Sequence, residues 1–544
     1  MVTQSCDITV IDLEYGEVEF PQGTAVKWEN GYLLLIGKAY FRSEINIIVY
    51  FDEYRNAKWQ FLSIWKFQAC LPSNTMCYDE CKILAEKLSA CKLIKEIIDI
   101  LDDLIGGWAV IYYREDLKKV LVGRDVFGRK SLLWKRMTKK FYFSVFACDR
   151  QVIRMFVPRQ ANVFYFSKLF QNIFQCSSWY DVPPGTVTVL DLCSEENITV
   201  FHVFEVNGPW IEQFSKLNRV HRKAVSERFM LSYELSLKNV NREDIAIIML
   251  KRLEEAVYRT VFNFDNSTKC ISLLFSGGVD SLLIAHLMAR CMPQNVLFDL
   301  VNVAFDKGKN YDEAPDRPQS KKAFKYLKSC YPELSLRLLL VNVDLNELVN
   351  CRKKYISSAI APACCVLDDS IGCVQWFAAR GEGFLFEDEE KPFVSGKSEA
   401  RTVVVGSGAD ELFGGYMRHR TTYLKRGRNA LVEELREELR RIGERNLGRD
   451  DRVVSSLGKD LKSPFLDDLF VEWVTSLPLE YKTDFTQPRG IGEKWLIREA
   501  LKLLATPQML CCTPKRAMQF GTRIAKLENR EEKGNDFCPR LLEE

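Results

Sequence analysis

Apolar and polar positions follow two different rhythms along this chain. Up to about residue 200, short apolar runs are broken by glycine and charged turns, as in Tyr32-Leu33-Leu34-Leu35-Ile36, Trp108-Ala109-Val110-Ile111-Tyr112-Tyr113 and Lys119-Val120-Leu121-Val122. Such runs predict the strands of a sheet-based domain over 1–200. Residues 206–240 are polar with weak periodicity and read as a linker into a helix that starts near Ile245 and continues through Tyr258. Beyond about 241, helical periods separate the apolar runs Ile271–Phe275, Leu300–Phe305, Arg337–Val343 and Thr402–Val405. That alternation over 241–544 predicts a doubly wound parallel sheet, with a mostly helical tail from about 430. The stretch from Gly381-Glu382-Gly383 to Gly396, with the acidic run Glu387-Asp388-Glu389-Glu390, reads as a mobile loop or insertion.

Composition narrows the class. A chain of 544 residues is too long for one core and suits two or three domains. Its 76 basic and 73 acidic residues give a net charge of +3, which argues against nucleic acid as an obligatory partner. The 18 cysteines, without an amino-terminal export segment, predict reduced thiols and a cytoplasmic location. Cys364-Cys365 and Cys511-Cys512 are adjacent rather than spaced as zinc ligands, and His202, His221, His286 and His419 are scattered, so no zinc site is expected. No apolar stretch is long enough to predict a membrane span.

The chemistry centres on Ser276-Gly277-Gly278-Val279-Asp280-Ser281, which closes a strand pattern and opens a helical one. Two glycines let the backbone bend and approach a ligand, so that successive amides and a helix N-terminus face oxyanions. Ser276 and Ser281 add hydroxyl donors, and Asp280 suits a magnesium ion beside phosphates. An upstream segment, Gly123-Arg124-Asp125-Val126-Phe127-Gly128-Arg129-Lys130-Ser131, imitates a Walker loop, but Arg129 intervenes between the second glycine and the lysine. It is read as a turn between strands. A second glycine-rich bend, Gly406-Ser407-Gly408-Ala409-Asp410-Glu411, follows the strand ending at Val405, and Asp410 could complete the magnesium site begun by Asp280.

The two loops together resemble the synthetase half of the asparagine synthetases. Asp451-Arg452, Ser463-Pro464-Phe465-Leu466-Asp467 and Pro514-Lys515 extend the likeness, as do Leu367-Asp368-Asp369-Ser370-Ile371-Gly372-Cys373 and Pro488-Arg489-Gly490-Ile491-Gly492-Glu493-Lys494, over roughly 245–535. Gly106-Gly107-Trp108 and Arg124-Asp125-Val126-Phe127-Gly128 are similar to the closing strands of the family's glutamine-hydrolysing domain. The resemblance implies an α/β chain with a glutaminase-like αββα sandwich in front. A doubly wound parallel-sheet PP-loop ATP-pyrophosphatase domain with a helical tail follows it. It further implies that ATP contacts Leu274, Ser276, Gly277, Gly278, Val279, Asp280, Ser281, Val303, Gly406 and Gly408. Magnesium would sit on Asp280 and Asp410, with Lys515 and Glu411 catalytic, an aspartate-like carboxylate as substrate, and ammonia or glutamine as nitrogen source.

The likeness breaks at three places. Met1 is followed by Val2-Thr3-Gln4-Ser5, so the family's terminal cysteine nucleophile is missing and Cys6 has no free α-amine to activate it. Ile36-Gly37-Lys38 stands where the family has an asparagine that stabilises an oxyanion, while Asp79 keeps the glutamine-binding carboxylate position. These departures predict no glutamine hydrolysis. Ser407 occupies the position of the glutamate that the family uses as general base, and an alcohol is too weakly basic for that task. Three readings stay open: an ATP-dependent amide ligase, a nucleotide-binding or interaction protein without turnover that can engage a protein partner, and another PP-loop enzyme.

Overall fold

The computed structural model describes residues 9–12, 17–19, 26–28, 31–37, 40–41, 80–137, 140–144, 179–192, 198–202, 242–262, 268–308, 310–392, 394–527 and 532–542. Cys6, Asp79, His221, the linker at 206–240 and the side chain of Ile36 lie outside these.

The described front residues build two large antiparallel sheets and a two-stranded one, Tyr40–Phe41 with Leu104–Ile105. One has six strands in the order Ile198–His202, Thr186–Asp191, Lys119–Arg124, Trp108–Arg114, Gly31–Gly37, Val26–Trp28. Its strand Trp108–Arg114 is buried at every position, because both faces are covered. Trp108, Val110 and Tyr112 pack with Leu84, Leu88 and Leu101 of two helices, Glu80–Ala90 and Ile94–Asp102. On the opposite face Ala109, Ile111 and Tyr113 meet Leu132, Val182 and Trp134, from the side where a five-stranded sheet contains Leu133–Met137 and Tyr180–Asp181. The second helical layer of the expected sandwich is not among the described residues.

The rest of the chain is built on a seven-stranded sheet in the order Val394–Lys397, Glu382–Phe386, Leu336–Val343, Leu297–Phe305, Cys270–Leu274, Thr402–Val404, Asp460–Lys462. The last five are parallel. All four apolar runs anticipated as strands are there, and Cys270–Leu274 has its sequence successor Leu297–Phe305 on one side and the late strand Thr402–Val404 on the other. The sheet thus changes direction of growth at Cys270–Leu274, the place where open α/β sheets bind ligands. Helices Arg242–Val257, Val279–Cys291 and Trp495–Leu503 supply much of the largest apolar cluster. Among the described residues no helix is long and apolar enough to cross a membrane.

The acidic stretch after Gly381 is not a loose insertion. It forms an antiparallel hairpin that extends the sheet, with Gly383 opposite Gly396. A Cβ on Gly383 would lie 2.3 Å from Leu340 O, so the close strand approach demands glycine there. Its acidic tip is held from outside by Lys325 on Asp388 at 2.8 Å and Lys321 on Glu389 at 3.2 Å. The run of like charge suggested a mobile loop or insertion; the strands on either side pair into the sheet, and the acidic tip itself is exposed.

The Walker-like segment is a turn between Lys119–Arg124 and Leu133–Met137, and it joins the antiparallel sheets to the rest. Val126 and Phe127 belong to the large apolar cluster around the parallel sheet, and Phe127 O lies where a Cβ of Gly443 would be, 2.2 Å away. Lys130 Nζ reaches Asp451 at 2.9 Å and Asp460 at 2.6 Å, and Asp451 also accepts the Ser131 N–H at 2.8 Å. Arg452 donates to Ser131 Oγ and Asp181, both at 3.1 Å. The Asp451-Arg452 pair therefore serves this joint. Phe127→Ala should remove the buried plug and cost about 3–5 kcal/mol, measured as a lower urea midpoint. An unchanged midpoint would show that the turn does not anchor the joint.

Candidate functional site

The first loop is shaped by its own side chains. Gly277 adopts φ +73°, and a Cβ there would lie 2.7 Å from Gln319 O, so both conformation and space require glycine. Gly278 caps the helix Val279–Cys291 in extended geometry. Ser276 Oγ accepts the Gly278 N–H at 3.2 Å, Ser281 Oγ donates to Gly278 O at 3.2 Å, and the two hydroxyls are 3.3 Å apart. These bonds fix the loop at the positive end of the helix.

The second loop is parallel to the first because its strand is. Thr402–Val404 pairs with Ile271–Leu273, and both chains turn at the same sheet edge. Gly406 lies against Asp280, a Cβ there falling 3.3 Å from Asp280 Cβ. Gly408 has φ +96° and rests on the Leu466 methyls. A short helix, Ala409–Phe413, then carries Asp410 and Glu411. Leu274 ends the motif strand at half-burial, and the Val303 side chain is packed in the apolar cluster on one face of the sheet.

Four charged groups converge between the loops. Lys494 Nζ lies 2.5 Å from Asp280 Oδ2 and 2.7 Å from Asp410 Oδ1; Lys515 Nζ lies 2.7 Å from Asp410 Oδ2 and 3.7 Å from Asp280 Oδ2. Lys494 is fully buried. Burial disfavours the Asp410 carboxylate, but the ammoniums of Lys494 and Lys515 overcome this and hold its pKa well below the ordinary range. For Lys515, burial is likewise outweighed by Asp410 and Asp280, and its pKa is raised. The Oδ1 atoms of both aspartates are buried and take no hydrogen bond; Lys494 holds that of Asp410 at ion-pair distance only. Two carboxylates beside a helix N-terminus are the donor type that a hard divalent cation takes, and the Lys494 and Lys515 ammoniums hold the position between them in this structure.

Glu411 points elsewhere. It is buried and accepts the Tyr416 hydroxyl at 2.7 Å, and it borders a small apolar recess with Val432, Leu435 and Lys482. Tyr416 N–H is directed at His419 Nδ1 at 3.3 Å, which assigns the ring proton to Nε2, 2.7 Å from Glu438 Oε2. Arg418 pairs with the same Glu438 at 2.5 Å. This chain of bonds braces the second loop from outside, and a guanidinium already occupies the cationic position beside Glu434 and Glu438.

Sequence reasoning assigned no role to Lys494, although the Pro488–Lys494 segment was singled out. Its backbone sits at φ +55° as the cap of helix Trp495–Leu503, and Lys494 N donates to Phe413 O at 3.1 Å. A Cβ on Gly415 would meet Lys494 Cε at 2.1 Å and Asp410 Oδ1 at 1.9 Å; Gly415 thus leaves room for the lysine, a signal the sequence did contain. Gln319 was also missed. Its Nε2 donates to Gly277 O at 3.1 Å and Thr513 Oγ1 at 3.0 Å, tying the first loop to the segment that carries Lys515.

Burial, then the Asp410 charge, raises the Glu411 pKa above its ordinary 4.5. The folded chain then holds this proton more tightly than the unfolded one, so stability falls as pH rises from the unfolded value through the folded one. Glu411→Gln, which can still accept from Tyr416, is expected to raise the melting temperature at about pH 8 and to lose that advantage near about pH 4. A pH-independent difference would contradict the assigned environment.

Comparisons with known proteins bear on the family of the chain. The family description "Asparagine synthase" matches residues 424–533. The chain is 33% identical over 550 residues to asparagine synthetase domain-containing protein 1 of Mus musculus, covering 85% of each. It is 25% identical over 264 residues to the glutamine-hydrolysing asparagine synthetase of Gallus gallus, covering 47% of this chain and 40% of that one. Overlay on an allosteric regulatory enzyme of purine biosynthesis gives 11% identity, 60% and 63% coverage and a TM-score of 0.22, too low to bear on the fold. With a third of its residues identical across most of its length, the chain belongs to the family of asparagine synthetase domain-containing proteins.

Proposed function

We propose that the chain binds magnesium-ATP between its two glycine-rich loops and activates a carboxylate as an acyl adenylate, in the manner of an AMP- and pyrophosphate-forming amide ligase. The observation that carries this is the meeting of Asp280 and Asp410 with Lys494 and Lys515 beside a helix N-terminus. In this reading a front domain at 1–200 is joined by a linker at 206–240 to the ATP-pyrophosphatase domain at 241–544, and the protein works in the cytoplasm. The amides of Gly277 to Ser281 take the pyrophosphate oxygens. Asp280 and Asp410 would hold magnesium, which when bound offsets charge on the phosphates. Lys515, and with it Lys494, opposes the negative charge that develops as the carboxylate attacks the α-phosphate.

Asparagine biosynthesis is the pathway suggested by the relatives' names, with an aspartate-like carboxylate and ammonia as substrates. The front domain is read as inactive on glutamine. A second reading, nucleotide binding without turnover, has its own support: Ser407 replaces the general base, and Glu411 is engaged by Tyr416.

Calorimetry of the full chain should detect magnesium-ATP binding, weakened about tenfold or more by Asp280→Asn, a difference of roughly 1.4 kcal/mol. Equal binding by both proteins would remove the carboxylate from the site. Aspartate-dependent ATP/pyrophosphate exchange with little asparagine from ammonium is expected of the wild type, and Ser407→Glu should raise amide formation. Rapid asparagine synthesis by the wild type, unaffected or reduced by Ser407→Glu, would overturn the assignment of Ser407; exchange absent altogether would favour the second reading.

A further inference from the structure

The turn that imitates a Walker loop carries one residue whose contacts go beyond holding two layers together. Arg129 uses its whole fork: Nε donates to Asp125 Oδ1 at 2.9 Å, Nη1 to Leu466 O at 2.7 Å and Asp468 Oδ2 at 2.8 Å, and Nη2 to Gly106 O at 2.6 Å and Asp468 Oδ1 at 3.0 Å. Asp468 in turn accepts the Gly106 N–H at 2.8 Å. Two carbonyls and two carboxylates, drawn from both parts of the chain, are thus fixed by one planar cation that lysine cannot imitate.

The held segment grips the second loop at two points. The Leu466 side chain lies on Gly408, where an added Cβ would be 2.5 Å from its Cδ2. Phe465 and Phe470 pack on Phe413, with ring centroids 6.3 Å and 6.4 Å apart. Gly408 and Phe413 bound the short helix that carries Asp410. Next to Leu466, Asp467 is fixed by Arg259 at 2.6 Å; from the antiparallel sheets, Arg129 and the Gly106 N–H are the hydrogen-bond donors that reach this segment among the described residues, and only Arg129 reaches Leu466.

We propose that Arg129 is a positioning residue: through Leu466 and Asp468 it sets the second loop, and with it Asp410. The front sheets, on this inference, retain a function independent of glutamine chemistry, as the rigid support of the nucleotide site. The structural half stands on contacts alone; its effect on ATP rests on the function proposed above.

Hydrogen exchange of the full chain tests the structural half. Arg129→Lys keeps the charge and loses the fork, and should speed exchange of the amides from Gly406 to Gly415 by about tenfold, the loss expected for a charged hydrogen bond. Asp181→Asn is the control, since it loosens the same joint at Arg124 and Arg452 without touching Leu466 or Asp468; it should leave those amides unchanged. No acceleration in Arg129→Lys, or equal acceleration in Asp181→Asn, overturns the inference. If Arg129→Lys does not fold, Asp468→Asn takes its place with the same two outcomes. Calorimetry with magnesium-ATP then reads the functional half: affinity should fall several-fold in Arg129→Lys and hold in Asp181→Asn. Faster loop exchange with unchanged affinity would overturn the link from loop to nucleotide. A wild type that binds no ATP would sink the proposed function and leave the exchange result to decide the support role.

Discussion

Two carboxylates side by side, Asp410 buried and Asp280 half-buried, must have a counter-cation, and in this chain Lys494 supplies it from a position with no exposure to solvent. Like charges about 4 Å apart repel by about 4 kcal/mol at the effective dielectric of a protein interior, and removal from water adds to that cost. Much of the surrounding structure follows from placing this ammonium. Gly415 clears its path, and the left-handed backbone at Lys494 turns its side chain inward. The helix Trp495–Leu503 anchors it in the large core. Lys515 adds a second, more accessible cation from a separate segment.

The same requirement for paired burial explains the joint between the antiparallel and parallel sheets. Arg129 and Lys130, from the turn after a front strand, meet Asp468, Asp451 and Asp460, and Asp181 of the front sheet meets Arg452. Burial disfavours the Lys130 ammonium, but Asp451 and Asp460 more than compensate and raise its pKa. Breaking one member of such a set strands the others, so the joint is specific as well as strong. The apolar insertion of Val126 and Phe127 runs through its middle. The front sheets are therefore built into the body of the protein.

Glu411 illustrates how adjacency in sequence can mislead about adjacency in chemistry. It follows Asp410, yet the step of about 100° between successive helix residues sends the two side chains in different directions. Asp410 enters the charged cluster, whereas Glu411 joins Tyr416 and borders an apolar recess. Whether it serves chemistry or bracing is decided by that neighbourhood.

The sequence by itself determined the local elements. Apolar runs of strand length located Cys270–Leu274, Leu297–Phe305, Leu336–Val343 and Thr402–Val404, and the glycine patterns located both loops, because backbone conformation and side-chain period are local properties. It could not determine strand order: only the sheet places Thr402–Val404 beside Cys270–Leu274, more than a hundred residues away, and so brings Asp280 to Asp410. Lys494 and Gln319 escaped for the same reason, since their partners are remote in sequence. The acidic hairpin tip and the Walker-like turn were polar or charged by composition, and were decided by cations and carboxylates on other elements. A long-range ion pair leaves no period in the chain; it exists only once tertiary packing has brought the two charges together and removed the water between them.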